Sequence, residues 1–250
     1  MAPALPTLGR YGIRLGAVAL ALAGLSGCQS IDVNGSNQAG IRLINASPNL
    51  PTGIDFYDGT SPLAYNLGFT TATRSYIPVN PGTQTIYADT ANTTQVLTSA
   101  AATMGIGKNY TVLVGNVAAS LQETILQDQN SAAPTGDIAV RFLDEATHIG
   151  AVDIYLVPSG GKLTTTTPIL TNINFQTNTG YVNVPAGTYT IAAVPTGTVP
   201  VSTTATLAGV TVGSSAGTVQ TVILFDQQVV NTPSVQAVVV DDYDSPTSTG

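Results

Sequence analysis

From Ile41 onward the side chains alternate. Ile41, Leu43, Ile54 and Phe56 fall on one side of their segments, and Arg42, Asp55 and Tyr57 fall on the other. A period of two predicts strands with one face buried and the other facing water. Clusters bearing Gly and Pro, such as Asn49-Leu50-Pro51-Thr52-Gly53, Asp58-Gly59 and Pro81-Gly82, break the pattern repeatedly. Their spacing of roughly 8–12 residues is that of short strands in a sandwich or barrel. No convincing helical period follows residue 27.

The pattern occurs twice. Ile41-Arg42-Leu43-Ile44-Asn45 and Ile54-Asp55-Phe56-Tyr57 return as Val140-Arg141-Phe142-Leu143-Asp144 and Val152-Asp153-Ile154-Tyr155. Phe69 pairs with Phe175. The stretch from Tyr76 to Ile86 pairs without a gap with Tyr181 to Ile191. Tyr110-Thr111-Val112-Leu113-Val114 matches Gln220-Thr221-Val222-Ile223-Leu224, and Leu121 to Leu126 matches Val235 to Val240. The order is kept throughout, at an offset of about 100 residues. A copy of that size with seven or eight strands suits an immunoglobulin-like sandwich. The expected fold is therefore all-β: two tandem immunoglobulin-like antiparallel β-sandwiches at 40–128 and 137–242, joined by a linker at 129–136, with a frayed tail at 243–250.

The residues before the first copy read as an address. Residues 1–14 carry Arg10 and Arg14 and no acid, and Leu15 to Leu25 forms an apolar run. A membrane-spanning helix needs about 20 such residues, so the run suits a signal-peptide core instead. It ends in Leu25-Ser26-Gly27-Cys28, which resembles the lipobox of bacterial lipoproteins. That resemblance implies removal of residues 1–27 and attachment of lipid to Cys28. Two or three acyl chains hold a protein stably on a membrane. In that family aspartate after the cysteine favours the inner membrane, so by the same resemblance Gln29 leans towards the outer one. Residues 28–39 form a polar, flexible tether, whose part from Gln29 to Gln38 reaches at most ~35 Å.

The two copies resemble a known family as well. Ile41-Arg42-Leu43-Ile44-Asn45-Ala46-Ser47-Pro48-Asn49, followed by Ile54-Asp55-Phe56-Tyr57-Asp58-Gly59 and a Tyr76-x-Pro-x-x-Pro-Gly stretch, is similar to the domain of unknown function 4397. The likeness covers 40–130. The second copy diverges, with Glu145-Ala146-Thr147 in place of Ala-Ser-Pro and Leu156-Val157 in place of Asp-Gly. The resemblance implies a secreted or lipid-anchored β-sandwich and brings no catalytic residues.

Composition narrows the function. Charged residues make up 8% of the chain, against about 25% in an average globular protein. The formal charge is −7, and it grows more negative once Arg10 and Arg14 are removed. Such a surface has no electrostatic means of neutralising phosphates, which argues against nucleic acid as a partner, and it gives no polybasic attraction to anionic lipid. Membrane contact is expected through the covalent lipid alone. Cys28 is the only cysteine, so its lipidation leaves no thiol for a disulfide in either sandwich.

Candidate chemistry is sparse. His148 is the single histidine, and with Asp144 and Glu145 it offers either a metal or base site for a hydrolase or a solvated turn; the turn is the expectation. Arg42 with Asp55, and Arg141 with Asp153, occupy matching positions. They read as a ligand-reading pair in each copy or as a cross-strand ion pair, the latter expected. Asp241, Asp242 and Asp244 lack calcium-loop spacing and read as a solvated tail. Tyr57, Tyr65, Tyr76, Tyr87, Tyr155, Tyr181 and Tyr189 remain. Tyr76 and Tyr181 recur beside a turn and read as packing residues. A carbohydrate-binding module predicts exposed tyrosines clustered on one face, with Tyr57 and Tyr155 open. The expectation from these features is a non-enzymatic envelope module without cofactor or metal, meeting a protein or polysaccharide partner.

Overall fold

The computed structural model of the chain describes residues 37–227 and 235–243. The signal segment, Cys28, most of the tether and the tail from residue 244 lie outside them. The first copy comprises β1 (Ala39–Asn45), β2 (Ile54–Asp58), β3 (Ser61–Leu67), β4 (Thr71–Ala72), β5 (Ile77–Val79), β6 (Gly82–Thr90), β7 (Val96–Met104), β8 (Asn109–Gly115) and β9 (Gln122–Gln127). The second comprises β10 (Asp137–Asp144), β11 (Val152–Pro158), β12 (Leu170–Ile173), β13 (Asn178–Pro185), β14 (Tyr189–Pro195), β15 (Leu207–Val212), β16 (Val219–Asp226) and β17 (Val235–Tyr243).

Each copy is a sandwich of two sheets. In the first, the order β4-β1-β8-β9, with β5 also on β1, faces the order β3-β2-β6-β7. In the second, β13-β10-β16-β17 faces β12-β11-β14-β15. Among the described residues every ladder is antiparallel except β1–β8 and β10–β16, which run parallel at matching places in the two copies. The first core gathers Ile41, Leu43, Ile54, Phe56, Ile86 and Val112. The second gathers Val140, Phe142, Ile154, Ile191, Val222 and Leu224 at the corresponding strand positions.

The alternation on β1 does not leave a wet face. All seven residues of β1 and of β8 are buried, as are all but the first of β10 and all but Gln220 of β16. The reason is a second contact layer. Ile44, Ala46 and Leu113 from the first sandwich pack with Leu143, Ile223 and Phe225 from the second, and Phe69, Leu126, Val238 and Val240 flank them. The β1 and β10 sheets thus lie face to face, and the molecule stacks as four layers of sheet. Strands buried on both sides lose the clean alternation of a half-exposed strand. The C-terminal strand likewise runs through Tyr243, so Asp241 and Asp242 belong to β17 and not to a tail.

Candidate functional site

The deepest polar cluster lies between the sandwiches. Arg42 on β1 and Arg141 on β10 point out of their own cores into the shared interface, where both are almost wholly buried. Arg141 meets Asp128, just past β9 of the other sandwich, at 2.5 Å. Arg42 reaches Asp242 on β17 of the other sandwich and also stands 3.4 Å from Asp128. Each carboxylate is also held from its own side. Asp128 accepts from Thr111 and Tyr76, each at 2.7 Å. Asp242 accepts from Thr221 at 2.6 Å and Tyr181 at 2.8 Å. The guanidiniums of Arg42 and Arg141 lie 4.8 Å from the ring centres of Tyr76 and Tyr181, within cation–π range. The two halves repeat one another down to the backbone acceptors, Asp241 for Arg42 and Gln127 for Arg141. Burial opposes the charge on Arg42, but Asp242, Tyr76 and Asp128 together hold its pKa above the ordinary value. Burial raises Asp242, with Arg42 opposing. The quartet is charge-balanced and sealed from solvent, so it fastens the two sandwiches together and presents nothing to a ligand.

These contacts correct the pairing expected from the sequence. Arg42 and Arg141 are bonded across the interface, while Asp55 and Asp153 serve backbone turns. Asp55 accepts from the amides of Asn66 at 2.6 Å and Asn92 at 2.8 Å. Asp153 accepts from the Asn172 amide at 2.9 Å and the Thr196 hydroxyl at 2.7 Å. Asn66, Asn92 and Asn172 all have positive φ, a conformation asparagine tolerates better than most residues. Asp242, read as part of a solvated tail, is instead a buried member of the quartet. Tyr76 and Tyr181 do serve in packing, as rings over guanidiniums.

The His148 loop does not assemble the expected trio. Asp226, at the end of β16, accepts from the Thr147 and His148 amides and stands 3.1 Å from the exposed imidazole. Asp144 turns inward to accept from the Ala146 amide at 3.0 Å, and burial pushes it up to about 6. Glu145 turns towards the domain boundary, and burial followed by the Asp144 charge pushes it up to about 8. Among the described residues, no three His, Cys, Asp or Glu side chains gather as metal ligands would. Asp226 and Asp128 had no place in the sequence reading, although the register Leu126–Val240, continued two residues, aligns Asp128 with Asp242.

The tyrosines divide between the copies. On the outer face of the β3-β2-β6-β7 sheet, Tyr57 stands opposite Tyr87, and Asp55 stands opposite Asp89. Tyr65 is 65% exposed and meets Tyr57 edge-on with ring centres 6.2 Å apart. Tyr57, Tyr87, Asp89, Thr93, Thr94 and Val96 line a shallow recess of about 330 Å³. Asp89 Oδ1 has no hydrogen-bond partner among the described residues. Burial and the nearby Asp55 raise its pKa. The same face of the second sandwich is closed. Ala192 and Val194 stand where Tyr87 and Asp89 do, and Tyr155 is buried with them beneath Ala205 and beside Leu163. Tyr57 is half-buried on an uncovered sheet face, whereas Tyr155 is buried, because the longer connection 196–206 covers it.

The paired sandwiches, with an arginine on the first strand and a turn-holding aspartate on the second, set the frame for comparison with known families. A family model described as a domain of unknown function, DUF4397, matches residues 39–155 and 163–250. The chain belongs to the DUF4397 family. The matches reach across both sandwiches of this DUF4397 protein and include both arginines and both carboxylates of the quartet. No curated protein matches it. No helix among its described residues is long and apolar enough to cross a membrane.

Proposed function

We propose that this DUF4397 protein is a lipid-anchored envelope module that binds a partner without catalysing a reaction, and that it binds through the outer face of its first sandwich. The observation carrying this reading is the open Tyr57–Tyr65–Tyr87 surface, which the second sandwich replaces with a covered apolar patch. The second sandwich then acts as a rigid platform, fastened to the first by the buried quartet. The anchor rests on Leu25-Ser26-Gly27-Cys28 after a short apolar run, and Gln29 favours the outer membrane as its destination.

A carbohydrate is the ligand class that the recess suits best. The C–H bonds of a pyranose carry slight positive charge and pack against the negative face of an aromatic ring. Asp89 lines that recess, and its carboxylate is the group there that can take a sugar hydroxyl. A mostly apolar floor with few convergent polar groups is the usual make-up of a small-ligand site.

Two experiments test these readings. Mass spectrometry of the N-terminal peptide from membranes is expected to find acylated Cys28, with Cys28→Ala protein released to the soluble fraction. An unmodified cysteine in a soluble product overturns the anchor. For the ligand, binding to envelope polysaccharide is expected to fall at least ten-fold in Tyr57→Ala and Tyr87→Ala and to persist in Tyr155→Phe. Equal binding by all three rejects the tyrosine face.

A further inference from the structure

The interface between the sandwiches follows its internal repeat closely at the quartet and departs from it at one end. Aligning the copies places Gly115 with Phe225, Glu145 with Ala46 and Thr124 with Val238. At the end built from Ala46, Phe225 and Val238, the space is filled. Phe69 and Phe225 meet edge-to-face with ring centres 5.8 Å apart and complete a continuous apolar cluster. At the opposite end the phenylalanine is missing, and a cavity of about 220 Å³ opens between the sandwiches.

Glu145 occupies part of the vacated space. A Cβ on residue 115 would clash with Glu145 Oε2, so the glycine is what allows the carboxylate to lie there. Glu145 is only 9% exposed, it lines the cavity, and its carboxylate has no hydrogen bond or ion pair among the described residues. Leu113, Leu126 and Leu143 line the cavity too, together with Thr124 and Gln176. Gln176 donates to the Gln122 side chain across the boundary between the two sandwiches. A buried carboxylate with no partner is costly and ordinarily protonates or finds a counter-charge.

We infer that this cavity is a binding site for a small aliphatic ammonium compound, with Glu145 receiving the cationic head and the three leucines receiving the alkyl part. The chemistry matches the lining: one carboxylate, hydroxyl and amide groups around it, and an apolar wall. The negative charge of the chain favours a cation over an anion. The volume accommodates a small ligand, since a cavity of about 150 Å³ already holds a six-carbon ring. Burial lifts Glu145 to about 8, so the carboxyl keeps its proton in the empty cavity at neutral pH and releases it when an ammonium group arrives. Affinity therefore climbs as pH rises towards 8 and levels above it.

The test is calorimetric titration of the folded chain with n-butylammonium chloride, at pH values on both sides of 8 and in buffers of different ionisation enthalpy. Saturable binding that strengthens with pH, with protons released on binding below pH 8, is the expected result. Glu145→Gln keeps the shape of the side chain and is expected to lose at least ten-fold in affinity and all of the proton release. The double variant Gly115→Phe, Glu145→Ala rebuilds the filled end of the interface. It is expected to melt no lower than wild type and to bind nothing. Absence of saturable binding at millimolar ligand above pH 8 overturns the inference, as does wild-type binding by Glu145→Gln.

Discussion

Glu123 shows how a single residue ties this fold to pH. Both of its carboxylate oxygens are buried without a partner among the described residues, and burial pushes it up from 4.5 to about 8. The folded chain therefore keeps a proton that the unfolded chain gives up above about 4.5. The contribution of Glu123 to stability is fully present below that value and is lost as pH rises towards 8. Glu145 is raised in the same direction and adds to the slope. Urea denaturation is expected to show Glu123→Gln about equal to wild type at pH 4 and more stable above pH 8, by up to about 5 kcal/mol. A parallel pH profile for both proteins would refute this account of the residue. Glu123 also marks a limit of sequence reading. Its alternation puts it on the core side of β9, beside Ile125, but the lack of any partner there depends on side chains distant in sequence. Arg42 and Arg141 were legible as matching positions, whereas their carboxylates lie on other strands or in the other sandwich, beyond the reach of local pattern.

At the scale of elements, the aspartate of each second strand shapes its neighbour. Asp55 holds the amides of Asn66 and Asn92, and Asp153 holds Asn172 and Thr196, so each draws two connections onto the end of its sheet. Removing the acceptor leaves amides at positive φ without a partner, a loss of about 1–3 kcal/mol when such groups are buried. Asp55→Ala is accordingly expected to be destabilised by that amount, with faster hydrogen exchange at Asn66 and Asn92 and little change in β8. Uniform exchange across the sandwich would show that Asp55 acts globally. Strand positions were readable from alternation and turn residues at this scale, because Ile41, Leu43, Ile54 and Phe56 do face the first core. What alternation could not convey is the burial of the other face of β1. Arg42 looks solvated in a linear pattern, and only a facing sheet with its own acids and tyrosines makes that position an interior one.

For the molecule as a whole, the quartet decides whether the two sandwiches behave as one body. Removing one member of a buried ion pair costs about 3–5 kcal/mol, because the remaining charge stays buried without compensation. Asp128 contacts both arginines, so Asp128→Asn is expected to lose that much in urea denaturation and to let the sandwiches unfold in separate transitions. One transition at wild-type stability would deny the quartet its role. The duplication was visible in the sequence, but the way the copies face each other was not, since nothing local reports that Arg141 reaches back to Asp128. That arrangement has a further implication. Each copy offers the other the same patch, as the subunits of a two-fold homodimer do. In a true homodimer every substitution is made twice, so hollowing one end of the contact would hollow both and strip the interface of its aromatic packing. Covalent tandem linkage removes that constraint: Phe225 can keep one end closed while Gly115 leaves the other open, so one contact can be adhesive at its middle and hollow at one end.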